Sequence, residues 1–146
     1  MSRRTAREAA FKLLFQMEIQ KDDPKKQIEV FLEQDDFNNN DVDDSDREFI
    51  LDVVKGTISD LSEIDKSIEV YLKGWKINRI SKVDLAILRL AIYEILNRDD
   101  IPANVSVNEA VEIAKKYSGE ESGAFINGIL GKFIRDRVVH SGETHG

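Results

Sequence analysis

Apolar positions recur every three to four residues along most of the chain, the spacing of helices that bury one face. Over residues 5–20, Ala6, Ala9, Ala10, Leu13, Leu14 and Met17 share a face and predict a first helix. Asp22, Asp23 and Pro24 end it and open the next, since proline suits a first-turn position. That second helix, over residues 24–34, carries Ile28, Phe31 and Leu32. Residues 35–44 are rich in Asn and Asp and predict a polar loop. Ser45 followed three residues later by Glu48 has the spacing of a capping box and predicts the start of a third helix. Phe49, Ile50, Val53, Val54, Thr57, Ile58 and Leu61 belong to it. A further helical segment holds Ile64, Ile68, Tyr71 and Leu72, before a bend at Gly74 and Trp75.

Residues 81–96 are the most apolar part of the chain. Val83, Ala86, Ile87, Leu90, Ala91 and Ile95 form one stripe, and Leu85, Leu88, Ile92, Tyr93 and Leu96 fill much of the remainder. A helix apolar nearly all round is a central, buried one. Each aliphatic side chain fully buried there contributes roughly 1.5–3 kcal/mol. Ile101 and Pro102 form a connector; Val107, Ala110, Val111 and Ala114 then predict a helix over residues 106–117, ended by Ser118 and Gly119. A last helix starts near Glu120 and carries Phe125, Ile126, Ile129, Leu130, Phe133 and Ile134. Residues 140–146 are expected to be a disordered tail, leaving residues 1–139 as one domain. The fold expected is all-α: a single-domain bundle of about seven helices, built as two antiparallel halves around a buried central helix.

Composition narrows the chemistry. A chain of 146 residues with 41% apolar and 34% charged residues suits one globular domain. The absence of cysteine excludes disulfides and thiolate chemistry. The two histidines, His140 and His145, fall in the expected tail, which removes an internal histidine dyad or metal site. No metal-ligand spacing or nucleophile elbow is present. Gly119, Gly123, Gly128 and Gly131 lie in a helical region with no strand before them, which argues against a nucleotide loop. Asp43 and Asp44 read as a solvated pair. The sequence therefore points to a binding protein with no cofactor rather than an enzyme. No apolar run is long enough to cross a bilayer, and Arg3, Arg4 and Arg7 are not followed by a signal-like apolar stretch, so a cytoplasmic location is expected.

A net charge of −7 argues against nucleic acid, but its distribution argues the other way. Residues 1–12 hold four bases, Arg3, Arg4, Arg7 and Lys12, against Glu8 alone, whereas residues 18–66 hold sixteen acids against six bases. A basic tip on an acidic body suits local contact with a phosphate backbone, with guanidinium forks as donors. The plainer reading is that terminal arginines aid solubility. Arg4 and Arg7 are spaced to share a helix face. The second candidate is the turn between the last two helices. Its backbone donors sit at a helix N-terminus, and Tyr117 and Phe125 flank it, as aromatics that stack unpaired bases do. Against this, Phe125 has the spacing of Ile129 and Phe133 and fits a core position equally well.

Three segments carry a family resemblance. The opening RRTAREAAFKLLFQME, the central VDLAILRLAIYEIL followed by IPANVSVNEAVE, and the closing VNEAVEIAKKY with FINGIL resemble, in order, the signatures of the NusB family. They span the chain from about Arg3 to Phe133. The resemblance implies a helical bundle that pairs with the ribosomal protein NusE, binds the single-stranded boxA element of nascent rRNA leaders and keeps RNA polymerase from terminating, alongside NusA and NusG and without catalysis. Homodimers also occur in the family. By position, Arg3, Arg4 and Arg7 match the arginine-rich RNA segment. Tyr117, Ser118, Glu121, Ser122 and Phe125 match the RNA-contacting turn, Tyr71 falls near the same path, and Phe15 holds an aromatic position near the arginines. Asp84 matches an acidic position on the face used for NusE. Thr5 and Asn104 stand where some members carry arginine and lysine. The same fold forms the N-terminal part of certain rRNA cytosine methyltransferases. The length of this chain leaves no room for their catalytic domain and favours a stand-alone factor. The remaining alternatives are a protein–protein scaffold and an accessory RNA-recognition domain for an rRNA-modifying enzyme.

Overall fold

The computed structural model describes residues 1–34 and 42–145, with side chains as far as Arg137. Among these residues, seven α-helices and one 3₁₀ turn follow one another: α1 (Arg3–Ile19), α2 (Pro24–Glu33), α3 (Asp44–Ser59), α4 (Leu61–Glu69), the 3₁₀ turn Ile77–Arg79, α5 (Lys82–Asn97), α6 (Ala103–Tyr117) and α7 (Glu120–His145). The all-α bundle expected from the periodicity is what forms. The predicted polar loop falls mostly outside the described residues.

Capping chemistry sets several boundaries. Ser2 accepts from the Thr5 N–H at 3.0 Å, so α1 begins at Arg3 rather than Thr5 and the arginines lie in its first turns. The capping box of α3 is not Ser45 with Glu48. Asp43 accepts from the Asp46 N–H at 2.9 Å, while the Asp46 carboxylate accepts from the Asp43 N–H at 3.0 Å. Aspartate caps as well as serine, and the register two residues earlier leaves Glu48 to accept from Arg98 at 3.1 Å. Helix α4 ends at Glu69, which places Tyr71 and Leu72 in the turn after it. Pro102 precedes α6, which starts three residues earlier than its apolar spacing suggested. The sequence places a tail after Val139; the backbone of α7 continues helically through His145. Gly142 is the one strong helix breaker in that stretch, worth about 1 kcal/mol.

Helix α5 packs against α1, α3, α4, α6 and α7. Leu85 to Glu94 is buried except for Arg89, as an all-round apolar helix requires. Arg89 is half-buried and bridges Asp65 of α4, at 2.9 Å from each guanidinium nitrogen it uses, to Glu18 of α1 at 2.9 Å. Helices α1 and α5 run antiparallel: Arg7 meets Glu94 at one end and Glu18 meets Lys82 at the other. Helices α6 and α7 form a hairpin so tight that a side-chain carbon added at Gly123 meets the Lys115 chain at 2.8 Å.

Candidate nucleic-acid interface

The outward face of α1 runs beside α6. Near its start, Arg4 forms a two-pronged pair with Glu109: Nε to Oε2 at 2.8 Å and Nη2 to Oε1 at 2.9 Å. One turn on, Glu8 takes the Lys116 ammonium at 2.7 Å. Another turn on, the Lys12 ammonium stands 5.7 Å above the Tyr117 ring, which also has the Lys116 ammonium 5.5 Å away. Phe11 backs that ring at 5.2 Å between centroids, and Phe15 follows Phe11 at 6.3 Å. From Arg4 to Lys12 is about 12 Å of helix. The basic strip therefore ends beside the turn between α6 and α7, not on the far side of the bundle. The Glu109 bond raises the Arg4 pKa and Arg4 in turn lowers that of Glu109. Exposed pairs of this kind are weak, so the guanidinium can exchange Glu109 for a phosphate.

Arg3 is oriented differently. Its guanidinium lies 4.3 Å from the centre of the buried Phe49 ring, which Arg98 also approaches at 5.3 Å. Arg98 is fixed by Asp100 at 2.9 Å and Asp52 at 3.0 Å.

Arg7 departs from the expected strip. It is 3% exposed, and its guanidinium faces inward to Glu94. A side chain enclosed in this way cannot touch RNA. The reason is phase: position 7 lies three residues before Ala10 and seven before Leu14, both buried, so the i, i+3 relation that placed Arg7 with Arg4 also places it against the core. Glu94, missed in the sequence, is its partner. A glutamate on the Ile87–Leu90–Ala91 stripe of a buried helix needs a cation, and that was the available signal.

At the turn, the Ser118 and Gly119 N–H groups both bond to the Ala114 carbonyl, at 2.8 and 3.1 Å, and Gly119 adopts φ 111°, which only glycine does readily. Ser118 and Glu121 are exposed and Tyr117 is partly so. Ser122 is buried and donates its hydroxyl hydrogen to Asp84 on α5. The residue assigned by resemblance to RNA thus bonds directly to the one assigned to NusE. Phe125 is 38% exposed, unlike Ile129 and Phe133, so it is not a core residue. It lines an open groove of about 570 Å³ with Tyr71, Asp84 and Ile129. Tyr71 stands edge-on to Phe133 and donates to Asp136 at 2.5 Å. Burial first, then Asp136, pushes its phenol up to about 12. The site residues thus fall into two groups joined at the turn: Arg4 and Phe15 of α1 with Tyr117 of α6, and Tyr71, Phe125 and Asp84 along the groove, where Ser122 bonds to Asp84.

The NusB family profile matches residues 4–135. The chain belongs to the NusB family. It is 61% identical over 139 residues to the transcription antitermination protein NusB of Acetivibrio thermocellus, covering 95% of this chain and 92% of that protein. It is 54% identical to the NusB of Ruminiclostridium cellulolyticum over 132 residues, 90% and 88% of the two. Among solved structures, T. maritima NusB superposes with a TM-score of 0.83 at 40% identity, over 92% of each chain. A chain from the complex of the antitermination factors NusB and NusE with double-stranded RNA gives 0.79 at 26% identity, over 92% and 96%. In this NusB-family chain no described helix is long and apolar enough to cross a membrane.

Proposed function

We propose that this chain is a transcription antitermination factor that, together with NusE, holds the single-stranded boxA element of nascent rRNA leaders, by binding alone and in the cytoplasm. The observation that carries the reading is the strip from Arg4 to Lys12 ending at Tyr117, a partly exposed ring with two ammonium groups 5.7 and 5.5 Å from its centre. Such a ring offers a stacking face to an unpaired base while the cations neutralise the adjoining phosphates. NusB relatives across nearly the whole chain, one of them solved with NusE and double-stranded RNA, support RNA binding together with NusE. Arg4 and Lys12 position the backbone while Arg3 packs over Phe49; Tyr117, Ser118, Glu121 and Phe125 contact bases, and the groove edge at Asp84 meets NusE. A carboxylate at Glu121 accepts from base amino groups rather than from phosphate. RNA polymerase, NusA and NusG are the further partners of that assembly, and self-association is a competing use of the same surface.

A gel shift with a boxA RNA, with and without NusE, at two salt concentrations tests this. A shift strengthened by NusE and weakened by salt is expected. No shift in either case contradicts RNA binding and leaves a protein–protein scaffold.

A further inference from the structure

Residues 70–83 break with the acidic character of the chain: they hold Lys73, Lys76, Arg79 and Lys82 and no acid. The backbone reverses sharply there. Lys73 takes the left-handed conformation, φ 49°, which costs a residue with a side chain about 1–2 kcal/mol. The Trp75 N–H then bonds back to the Leu72 carbonyl at 3.0 Å. The result is an indole with 67% of its surface in water, at the rim of the groove that Phe125 lines.

The groove wall is apolar and aromatic, through Tyr71, Ile80, Phe125 and Ile129, and its rim is cationic, through Lys73, Arg79 and Lys132. Asp84 is the one acid among its described lining residues and is engaged by Ser122. Nearby Asp136 is engaged by Tyr71, and Glu69 lines a separate depression with Trp75 and Lys76. Contact with the Lys73 ammonium, then its charge, lowers the pKa of Lys132, with burial and Arg135 acting in the same direction. Three cationic side chains around one groove on an acidic protein favour an anion among them. A peptide carboxylate would satisfy the cations but make little use of the ring faces. A single strand of nucleic acid uses both, whereas a duplex keeps its base faces inside.

We infer that this groove is a second RNA subsite, in which Trp75 stacks an unpaired base while Lys73, Arg79 and Lys132 hold the adjoining phosphates. It rests on the RNA-binding reading above and extends that track from Phe125 to the connection between α4 and α5.

Trp75 is the only tryptophan of the chain, so its fluorescence reports on this groove alone. A dye-labelled single-stranded boxA RNA is titrated in the presence of NusE. Anisotropy follows binding, indole emission and acrylamide quenching follow Trp75, and Trp75→Phe serves as the blank. RNA should quench the indole and shield it from acrylamide in step with anisotropy. Trp75→Ala should weaken binding by about 5- to 150-fold, the range for one lost base stack, with an unchanged melting curve. Lys73→Ala with Lys132→Ala should make the salt slope shallower by about 1.4, for two lost phosphate contacts on a single strand. Normal anisotropy with no change at the indole and unaltered Trp75→Ala affinity overturns the subsite and leaves the RNA reading standing. Shielding by NusE alone, unaltered by RNA, overturns it in favour of a protein interface. No anisotropy change at any RNA concentration overturns the RNA reading and the subsite together.

Discussion

The guanidinium of Arg7 and the carboxylate of Glu94 lie side by side inside the bundle, Nε to Oε2 at 2.9 Å and Nη2 to Oε1 at 2.8 Å. Ser106 adds a second donor residue at 3.3 Å. The pair joins α1 to α5 at the base of the basic strip and so fixes the direction in which Arg3 and Arg4 leave the surface. Removing one partner strands a buried charge. Arg7→Ala should cost about 3–5 kcal/mol in urea unfolding. Replacing both with leucine should cost less than that single change. At a salt concentration where the variant is folded, its RNA salt slope should match the wild type, because Arg7 touches no phosphate.

Acid stability should depend on Glu18. Burial alone would raise its pKa, but hydrogen bonds from Arg89, Lys82 and Lys21 outweigh that and hold it at about 2. Its folded pKa lies below the ordinary value of 4.5. The stability it contributes is therefore complete above about pH 4.5 and is lost as pH falls through about 2. Unfolding free energy measured from pH 6 to pH 2 should decline less in Glu18→Gln than in wild type. Parallel declines would show that Glu18 contributes nothing to acid stability.

Gly56 leaves room for a ring. A carbon added there would sit 2.1–2.2 Å from the Tyr93 ring and hydroxyl, and Tyr93 donates to Asp52 at 2.8 Å. Overpacking of this kind costs about 1–3 kcal/mol. Gly56→Ala should lower the melting temperature, and Tyr93→Ala in the same chain should relieve the clash, so the two changes should not add. Additive losses would mean that the ring is not the obstacle.

Phe125 separates surface from core. With over a third of its surface in water, Phe125→Ala should cost only about 1–2 kcal/mol of stability and weaken boxA binding by about 5- to 150-fold. Circular dichroism melting beside an RNA titration distinguishes the two effects. A variant that loses much of its stability while the folded fraction binds normally would return Phe125 to the core.

The helices were legible because their apolar positions repeat cleanly, and α5 declared itself by having few polar positions. Boundaries were less so. Asp43 and Ser45 are both good caps, and only the three-dimensional partner of Glu48, Arg98, separates them. Among the site residues, Arg4 and Tyr117 were readable as types in a pattern. The inward turn of Arg7 was readable only by phasing it against Ala10 and Leu14, and Lys12 entered the site because Tyr117 folds over to it from α6. Trp75 could not be placed by periodicity, since it lies in a reversal between helices. The run of bases with no acid around it was the signal present.

The proposed RNA path follows the outer face of α1 to the turn at Ser118. The most direct measurement is the salt dependence of boxA affinity, with NusE present, for wild type and for a chain carrying Arg4→Ala and Lys12→Ala. Two lost phosphate contacts on a single strand should make the log–log slope shallower by about 1.4. Identical slopes for the two proteins would contradict it.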